Sequence, residues 1–169
     1  ATRALLVLPC YSDAAFGISP LRWRVAPTRF GAHMIVGEAD GTLHAFSFHS
    51  AQRFAAAPQP VQDAVAGIDV GAEASPAFAD LTGDGLDDLV VGSAEGTVRV
   101  FANAGNATHP RFGGGANGVG EGAALLARQA AGARSVPALG DLDGDGVADL
   151  VVGRADGTLR CYLNGGFRS

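Results

Sequence analysis

The chain has 169 residues, of which 47% are hydrophobic and 17% are charged, and its formal net charge is −5. This composition is typical of a folded protein with one moderate core, and 25 glycines with 8 prolines indicate many turns. We expect no membrane span, because no run of about 18 apolar residues occurs, and no nucleic-acid binding, because no strongly basic stretch occurs.

The first feature along the chain is a short apolar run at residues 4–8, which has no counterpart later in the sequence. It is too short for a secretory signal. Because the run has no partner in its own repeat, we expect it to supply an outer strand to a sheet of this chain or of a neighbour. The two cysteines, Cys10 and Cys161, exclude a disulfide framework but leave a single bridge between them open.

One pattern then occurs three times, at residues 34–46, 89–101 and 150–162. Each copy is an apolar, β-branched run, an acidic residue followed by glycine, and a second short apolar run, which predicts a β-hairpin. Cys161 aligns with Val100 and Ala45, and this alignment predicts a small buried side chain. Trp23, two residues before the aligned loop position, is predicted to lie in the core.

Nine-residue acidic loops precede the second and third hairpins, at residues 80–88 and 141–149, with a period of 61 residues. In the later loop, carboxylates stand at positions 1, 3, 5 and 9, and glycines at positions 4 and 6. Alternate residues of a tight loop can turn their oxygens onto one point, and a hard cation such as calcium takes six to eight oxygens. In the earlier loop Thr82 stands at position 3, where its hydroxyl can still donate an oxygen.

The loops are not EF-hands, which need a bidentate glutamate at position 12 and flanking helices. Position 12 is Val91 in one loop and Val152 in the other, and both lie in predicted strands. In the first copy, counting back places Val25, Pro27, Arg29 and His33 at the ligand positions. None of these is acidic, so we expect this copy to bind no calcium.

The whole pattern resembles the FG-GAP and VCBS repeats of integrin-α-like β-propellers, over residues 22–166. The resemblance rests on the two loops, the Leu-Val-Val-Gly after each, the Gly-Thr that opens the next strand, and the turns that begin at Asn103 and Asn164. It implies two structural calcium ions, each between the first and second strands of a blade. The implied ligands are Asp80, Thr82, Asp84, the carbonyl of Leu86 and Asp88, and then Asp141, Asp143, Asp145, the carbonyl of Val147 and Asp149.

The sequence therefore predicts an all-β fold of three four-stranded antiparallel repeats, as blades of a partial or oligomer-completed β-propeller. We expect fourth strands to open at residues 53–54 and 110–112. The expected segments are an N-terminal strand or extension at 1–21, a first blade without a calcium loop at 22–60, a second blade at 61–121 and a third, incomplete blade at 122–169.

The expected function is that of a calcium-binding structural or protein-interaction module, scaffold-like or adhesion-like, and not an enzyme, because no nucleophile–base pair is recognisable. Its expected partners are proteins or further copies, which would bind through exposed blade faces. Weak calcium loops suit a secreted, cell-surface or organelle-lumen location, and Asn106 begins a glycosylation sequon.

Two alternatives stay open. One is a carbohydrate-binding, lectin-like propeller, and the other is a non-catalytic part of a larger polysaccharide-active enzyme. Phe46, Phe101 and Tyr162 occupy equivalent positions, which suits either a sugar-stacking platform or internal packing.

Overall fold

The computed structural model describes residues 24–27, 33–47, 59–60, 62–112 and 134–165. These residues form three antiparallel β-sheets that follow one another along the chain. The first sheet contains β1 (Arg24–Pro27), β2 (His33–Gly37), β3 (Leu43–Ser47) and β4 (Gln59–Pro60). The second contains β5 (Ser75–Ala79), β6 (Asp88–Gly92) and β7 (Val98–Phe101), and the third contains β8 (Ser135–Gly140), β9 (Asp149–Arg154) and β10 (Leu159–Tyr162). The all-β, antiparallel prediction is confirmed.

Each sheet is a meander in which strands that are consecutive in sequence are paired. The predicted hairpins form at the acidic-residue–glycine turns, where Gly41, Gly96 and Gly157 donate backbone hydrogen bonds that close β2–β3, β6–β7 and β9–β10. A single turn of 3-10 helix, Gln62–Val65, lies between the first two sheets in sequence. Because these turns are local, their residues suffice to set the strand order.

The sheets stack face to face, and each has two distinct faces. We call forward the face that packs on the next sheet and backward the face that packs on the preceding one. The forward faces contain Ile35, Leu43 and Ala45 in the first sheet, Val90, Val98 and Val100 in the second, and Val151, Leu159 and Cys161 in the third. The backward faces contain Leu89, Val91 and Phe101 in the second sheet, and Leu150, Val152 and Tyr162 in the third.

Two apolar clusters join the stack. One unites the forward face of the first sheet with the backward face of the second, together with the buried ring of Phe112. The other unites the forward face of the second sheet with the backward face of the third. Strand side chains alternate between the two sides of a sheet, so one sequence pattern serves both contacts.

A fourth strand occurs in the first sheet, where β4 pairs with β3. In the second sheet the prediction of a strand opening at residues 110–112 is wrong. The amide of Phe112 instead donates to the carbonyl of Ala64, and its ring lies 5.5 Å from that of Phe78. Phe112 therefore fills the cluster between two sheets and does not extend one. The other predicted opening, at residues 53–54, lies outside the described residues.

The first repeat has a shorter turn than sequence counting assumed. Arg24 pairs with Gly37, thirteen positions later, whereas Ser75 pairs with Gly92, seventeen positions later. The turn between β1 and β2 is thus four residues shorter than a calcium loop. Val25 and Pro27 lie within β1 and His33 lies within β2, so their assignment to ligand positions is wrong.

Cys161 was predicted to be buried, and this is wrong. Its thiol is free and exposed, although the equivalent Val100 and Ala45 are buried. The difference arises because Val100 and Ala45 are each covered by the next sheet, whereas Cys161 lies on the forward face of the third sheet. Trp23, Arg29, Cys10 and residues 4–8 lie outside the described residues, and the predictions for Trp23, Arg29 and residues 4–8 stay predictions. The bridge to Cys10 that the sequence left open is absent, because the thiol of Cys161 is free.

Among the residues that the structure describes, no helix has the length and apolar character needed to cross a membrane.

Candidate metal site

The first acidic loop connects β5 to β6 and folds around its own aspartates. Both carboxylate oxygens of Asp80 accept backbone hydrogen bonds, from Gly83 at 2.7 Å and from Gly85 at 2.9 Å. Those two glycines have φ of 78° and 85°, a region that a side chain disfavours. Asp84 accepts from the amide of Leu86 at 2.8 Å. The loop is therefore wound tightly about the carboxylate at position 1.

The second loop connects β8 to β9 and repeats this arrangement. Asp141 accepts from Gly144 at 2.7 Å and from Gly146 at 3.0 Å, and Asp145 accepts from the amide of Val147 at 2.8 Å. Two loops 61 residues apart thus adopt one hydrogen-bond pattern, because the same residue types stand at the same positions.

In the second loop the chain brings three of the predicted ligands together. Carboxylate oxygens of Asp141, Asp143 and Asp149 all lie within 4.8 Å of one another. Asp149 is inaccessible to solvent, whereas Asp141 and Asp143 are exposed. Asp145 is not part of this group. Positions 1, 3 and 9 of the loop therefore converge, and a cation at that point would have three carboxylates around it.

In the first loop Thr82 stands at position 3, the place of Asp143. Its hydroxyl oxygen is buried and has no hydrogen-bond partner among the described residues. A buried hydroxyl without a partner costs about 1–3 kcal/mol. The hydroxyl of Thr82 therefore has free lone pairs at the loop position where the second loop has the carboxylate of Asp143.

In each copy both oxygens of the position-9 carboxylate accept backbone hydrogen bonds. The first loop's Asp88 has no solvent exposure, and its Oδ2 accepts from Leu81 at 3.0 Å and from Thr82 at 3.1 Å. Its Oδ1 accepts from the backbone amide of Asn103 at 3.0 Å. Burial raises the pKa of Asp88, and the hydrogen bond from Asn103 opposes that rise.

In the second loop Asp149 accepts from the backbone amides of Leu142 at 2.7 Å and Asn164 at 2.8 Å. The hydrogen bond from Asn164 lowers the pKa of Asp149, and the one from Leu142 adds to this. The opposite directions for Asp88 and Asp149 reflect their surroundings: Asp88 is enclosed more deeply within the stack, and Asp149 belongs to the last described sheet.

Sequence reasoning noted Asn103 and Asn164 as marks of the repeat but gave them no role. Their backbone amides hold the position-9 carboxylates, and their side-chain amides donate to loop carbonyls, Asn103 to Asp87 at 3.3 Å and Asn164 to Ala148 at 3.3 Å. Asn164 also donates to the carbonyl of Leu81, at 3.4 Å, in the first loop. The recurrence of asparagine fifteen residues after each position 9 was the available signal.

Negative charge in the loops is not balanced by described cationic side chains. The ion pairs found among the described residues are His44–Glu38, Arg134–Glu73 and Arg154–Asp156. None of them includes a carboxylate predicted to be a ligand. The carboxylates are held instead by backbone N–H groups, which orient them without neutralising them.

The three equivalent aromatic residues point to packing. Phe46 and Phe101 are buried, and Tyr162 is half-buried against the cluster between the second and third sheets. This position therefore contributes to packing in all three repeats.

The comparisons with known proteins give one match. The family model described as FG-GAP-like repeat matches residues 80–152, a segment that contains both acidic loops. No curated protein and no solved structure matches the chain. The resemblance predicted from the loop motifs is thereby confirmed over residues 80–152, which match the FG-GAP-like repeat.

Proposed function

We propose that this chain is a calcium-binding module of β-propeller type, in which two structural ions rigidify the loops between the first and second strands of the second and third sheets. The role is structural and directed at protein partners. Catalysis is not part of the proposal.

The observation that carries the proposal is the buried hydroxyl oxygen of Thr82, which has no partner among the described residues. It occupies the loop position whose counterpart, Asp143, lies within 4.8 Å of two further carboxylates. Either a hydrogen-bond donor or a cation would satisfy this oxygen, and a cation would also offset the negative charge of the converging carboxylates in the second loop.

The residues fit calcium in type and number. In the first loop Asp80, Thr82, Asp84 and Asp88 would hold the ion, with the carbonyl of Leu86. In the second loop the converging Asp141, Asp143 and Asp149 would hold it, and Asp145 and the carbonyl of Val147 would complete the set. All the donors are oxygens, which calcium prefers, and no thiolate or imidazole is among them. The ion would supply positive charge to each cluster and thereby link two neighbouring strands.

The two asparagines connect the proposed ion sites to the sheets through hydrogen bonds. Asp88 and Asp149 are tied to the chain segments that follow β7 and β10 through the amides of Asn103 and Asn164. An ion bound to a position-9 carboxylate would therefore tighten contacts among three strands. Millimolar calcium outside the cell or in an organelle lumen would fill loops of modest affinity, and we propose such a location.

The test is the effect of calcium on thermal unfolding of the full chain. We expect millimolar calcium to raise the melting temperature above that in chelator, since a ligand at about 100 times its Kd adds about 2.7 kcal/mol per site. The matched pair of variants is Asp143→Asn, which alters a converging carboxylate, and Asp156→Asn, which alters a hairpin-turn carboxylate outside the loops. Only the first should reduce the calcium response. Equal melting curves in calcium and chelator for the unmodified chain would refute calcium binding.

A further inference from the structure

The peptide group between Leu81 and Thr82 in the first loop is bound on both of its sides. Its N–H, from Thr82, donates to Oδ2 of Asp88 at 3.1 Å. Its carbonyl, from Leu81, accepts from the side-chain amide of Asn164 at 3.4 Å. Asp88 belongs to the same loop, whereas Asn164 follows the last strand of the third sheet. One peptide group of the first loop therefore connects its position-9 carboxylate to the third repeat.

Asn164 is at the same time attached to the second loop. Its backbone amide donates to Oδ1 of Asp149 at 2.8 Å, and its side-chain amide also donates to the carbonyl of Ala148 at 3.3 Å. Asp149 is one of the three carboxylates that converge in that loop. A continuous series of hydrogen bonds thus joins the two position-9 carboxylates, from Asp88 through one peptide group and Asn164 to Asp149.

An apolar contact accompanies this series of hydrogen bonds. The side chain of Leu81 is partly buried against the cluster between the second and third sheets, as are Leu139 and Tyr162 of the third sheet. Its counterpart in the second loop, Leu142, is 52% exposed. The first loop is therefore supported by the third repeat through both a hydrogen bond and packing.

The equivalent asparagine of the second repeat makes no such connection within the described part of the chain. The side-chain amide of Asn103 donates to the carbonyl of Asp87, and its Oδ1 accepts from the amides of Gly105 and Arg111. All of these partners belong to the second repeat. Asn103 therefore has the same local role as Asn164 without the contact between repeats.

We propose that the two calcium sites are coupled through Asn164, so that an ion in the second loop raises the affinity of the first loop for calcium. This inference rests on the proposed function, because it needs both loops to bind calcium. When Asp149 holds an ion, its carboxylate is restricted, and with it the backbone of Asn164. The side chain of Asn164 is then already placed against Leu81, so the first loop loses less conformational freedom when its own ion binds.

The coupling has a direction, because the second loop should fill first. Four of its predicted ligands are carboxylates, whereas the first loop has three carboxylates and the hydroxyl of Thr82, and calcium affinity depends on the charge of the ligands. Two doubly charged ions repel each other, and this repulsion opposes the coupling. A favourable effect of the second loop's ion on the first loop is therefore carried by contacts and not by the charge of the ion.

The test is a calcium titration of the full chain followed by two-dimensional NMR. The amides of Gly83 and Gly85 report on the first loop and those of Gly144 and Gly146 on the second, because each pair is bonded to the position-1 carboxylate of its own loop. The first-loop midpoint in the unmodified chain is compared with that in Asp143→Asn, which weakens the second site. We expect the first loop to require at least about threefold more calcium in this variant, a change of the size that one hydrogen bond supplies.

The same comparison is then made in Asn164→Ala, which keeps the backbone amide that binds Asp149 but removes the side-chain contact with Leu81. Asp143→Asn should no longer raise the first-loop midpoint in this background. Charge effects of Asp143→Asn act through space and persist there, so the difference between the two comparisons belongs to the side chain of Asn164. Asn164→Ser should behave as Asn164→Ala does. Asn103→Ala, the matched change in the second repeat, should leave the ratio of midpoints unchanged.

Three outcomes would overturn the coupling while calcium binding stands. The first is a first loop that fills before the second, and the next is a first-loop midpoint that Asp143→Asn leaves unchanged although all four glycine amides respond to calcium. The last is a ratio of midpoints that persists in Asn164→Ala, because another contact would then carry the effect. If none of the four amides responds, calcium binding itself fails and the coupling fails with it.

Discussion

The backbone amide of Asn103 donates a 3.0 Å hydrogen bond to Oδ1 of Asp88, fifteen residues earlier in the chain. Asp88 is the last carboxylate of an acidic loop, and Asn103 follows the third strand of the same sheet. The same pair recurs as Asn164 and Asp149 at 2.8 Å. One hydrogen bond thus closes the far end of the sheet onto the loop in both FG-GAP-like copies.

Removal of the Asp88 carboxylate should destabilise the protein even without calcium. Asp88→Ala leaves the amides of Leu81, Thr82 and Asn103 without their acceptor, and each unsatisfied buried amide costs about 1–3 kcal/mol. We expect a loss of at least about 2 kcal/mol in the free energy of unfolding, measured with denaturant in chelator. Asp84→Ala is the control, because Asp84 is exposed and, within the described part of the chain, accepts only from Leu86. Comparable losses for the two variants would argue against this role of Asp88.

The hydroxyl of Thr82 should have opposite effects with and without calcium. Thr82→Val keeps the side-chain shape but removes the buried oxygen that has no described partner. In chelator the variant should be as stable as the unmodified chain, or more stable by up to about 1 kcal/mol, because no unpaired polar group is buried.

In excess calcium Thr82→Val should be less stable, and a tenfold loss of affinity corresponds to about 1.4 kcal/mol. Thermal unfolding in both conditions provides the measurement, with Thr158→Val as a control outside the loops. A variant that is destabilised equally in chelator and in calcium would mean that the hydroxyl is a structural hydrogen-bond donor and not a ligand.

Glycine at position 92 should be far less replaceable than glycine at position 153. A methyl group at Gly92 would meet the carbonyl of Ser135 and the ring of Pro137, whereas one at Gly153 has space. We expect Gly92→Ala to cost about 1–3 kcal/mol through overpacking, and Gly153→Ala to change stability by less than about 0.5 kcal/mol. Denaturant unfolding of the two variants compares them directly. If Gly153→Ala proved as costly as Gly92→Ala, the third sheet would be covered where the structure shows it open.

Stability should fall in acid partly through the hairpin turns. The hydrogen bonds from Thr158, one from its hydroxyl at 2.6 Å and one from its amide at 2.9 Å, lower the pKa of Asp156 from its usual value of 3.8. The unfolded chain then binds the proton more tightly, so this contribution is present above pH about 4 and is lost as the pH falls through the lowered pKa.

Asp156→Asn removes this titration while keeping the side-chain size. We expect the variant to be less stable than the unmodified chain at pH 6, and the difference to shrink as the pH falls below about 4. Melting temperatures from pH 2 to pH 6 in chelator provide the measurement. A difference that stays constant over this range would show that Asp156 acts through its shape and not through its charge.

The first repeat shows the limit of assigning loop positions from sequence spacing alone. Counting back by the later copies assigned Val25 and Pro27 to a loop, but strand pairing puts both in β1, because the connecting turn is four residues shorter. Sequence alone cannot detect such a deletion when the loop has also lost its acids. The hydrogen bonds between strands are needed to fix the register.

The sequence by itself determined the all-β class, the three hairpins and the inner hydrogen bonds of the acidic loops. These features depend on residues within about ten positions of one another, and glycine and aspartate restrict the chain at that range. Only the tertiary structure decided which faces are covered, why Gly92 is confined and Gly153 is not, and why Cys161 is exposed although Val100 is buried. Equivalent residues in a repeat have the same local preferences, but their burial depends on whether another sheet lies against them.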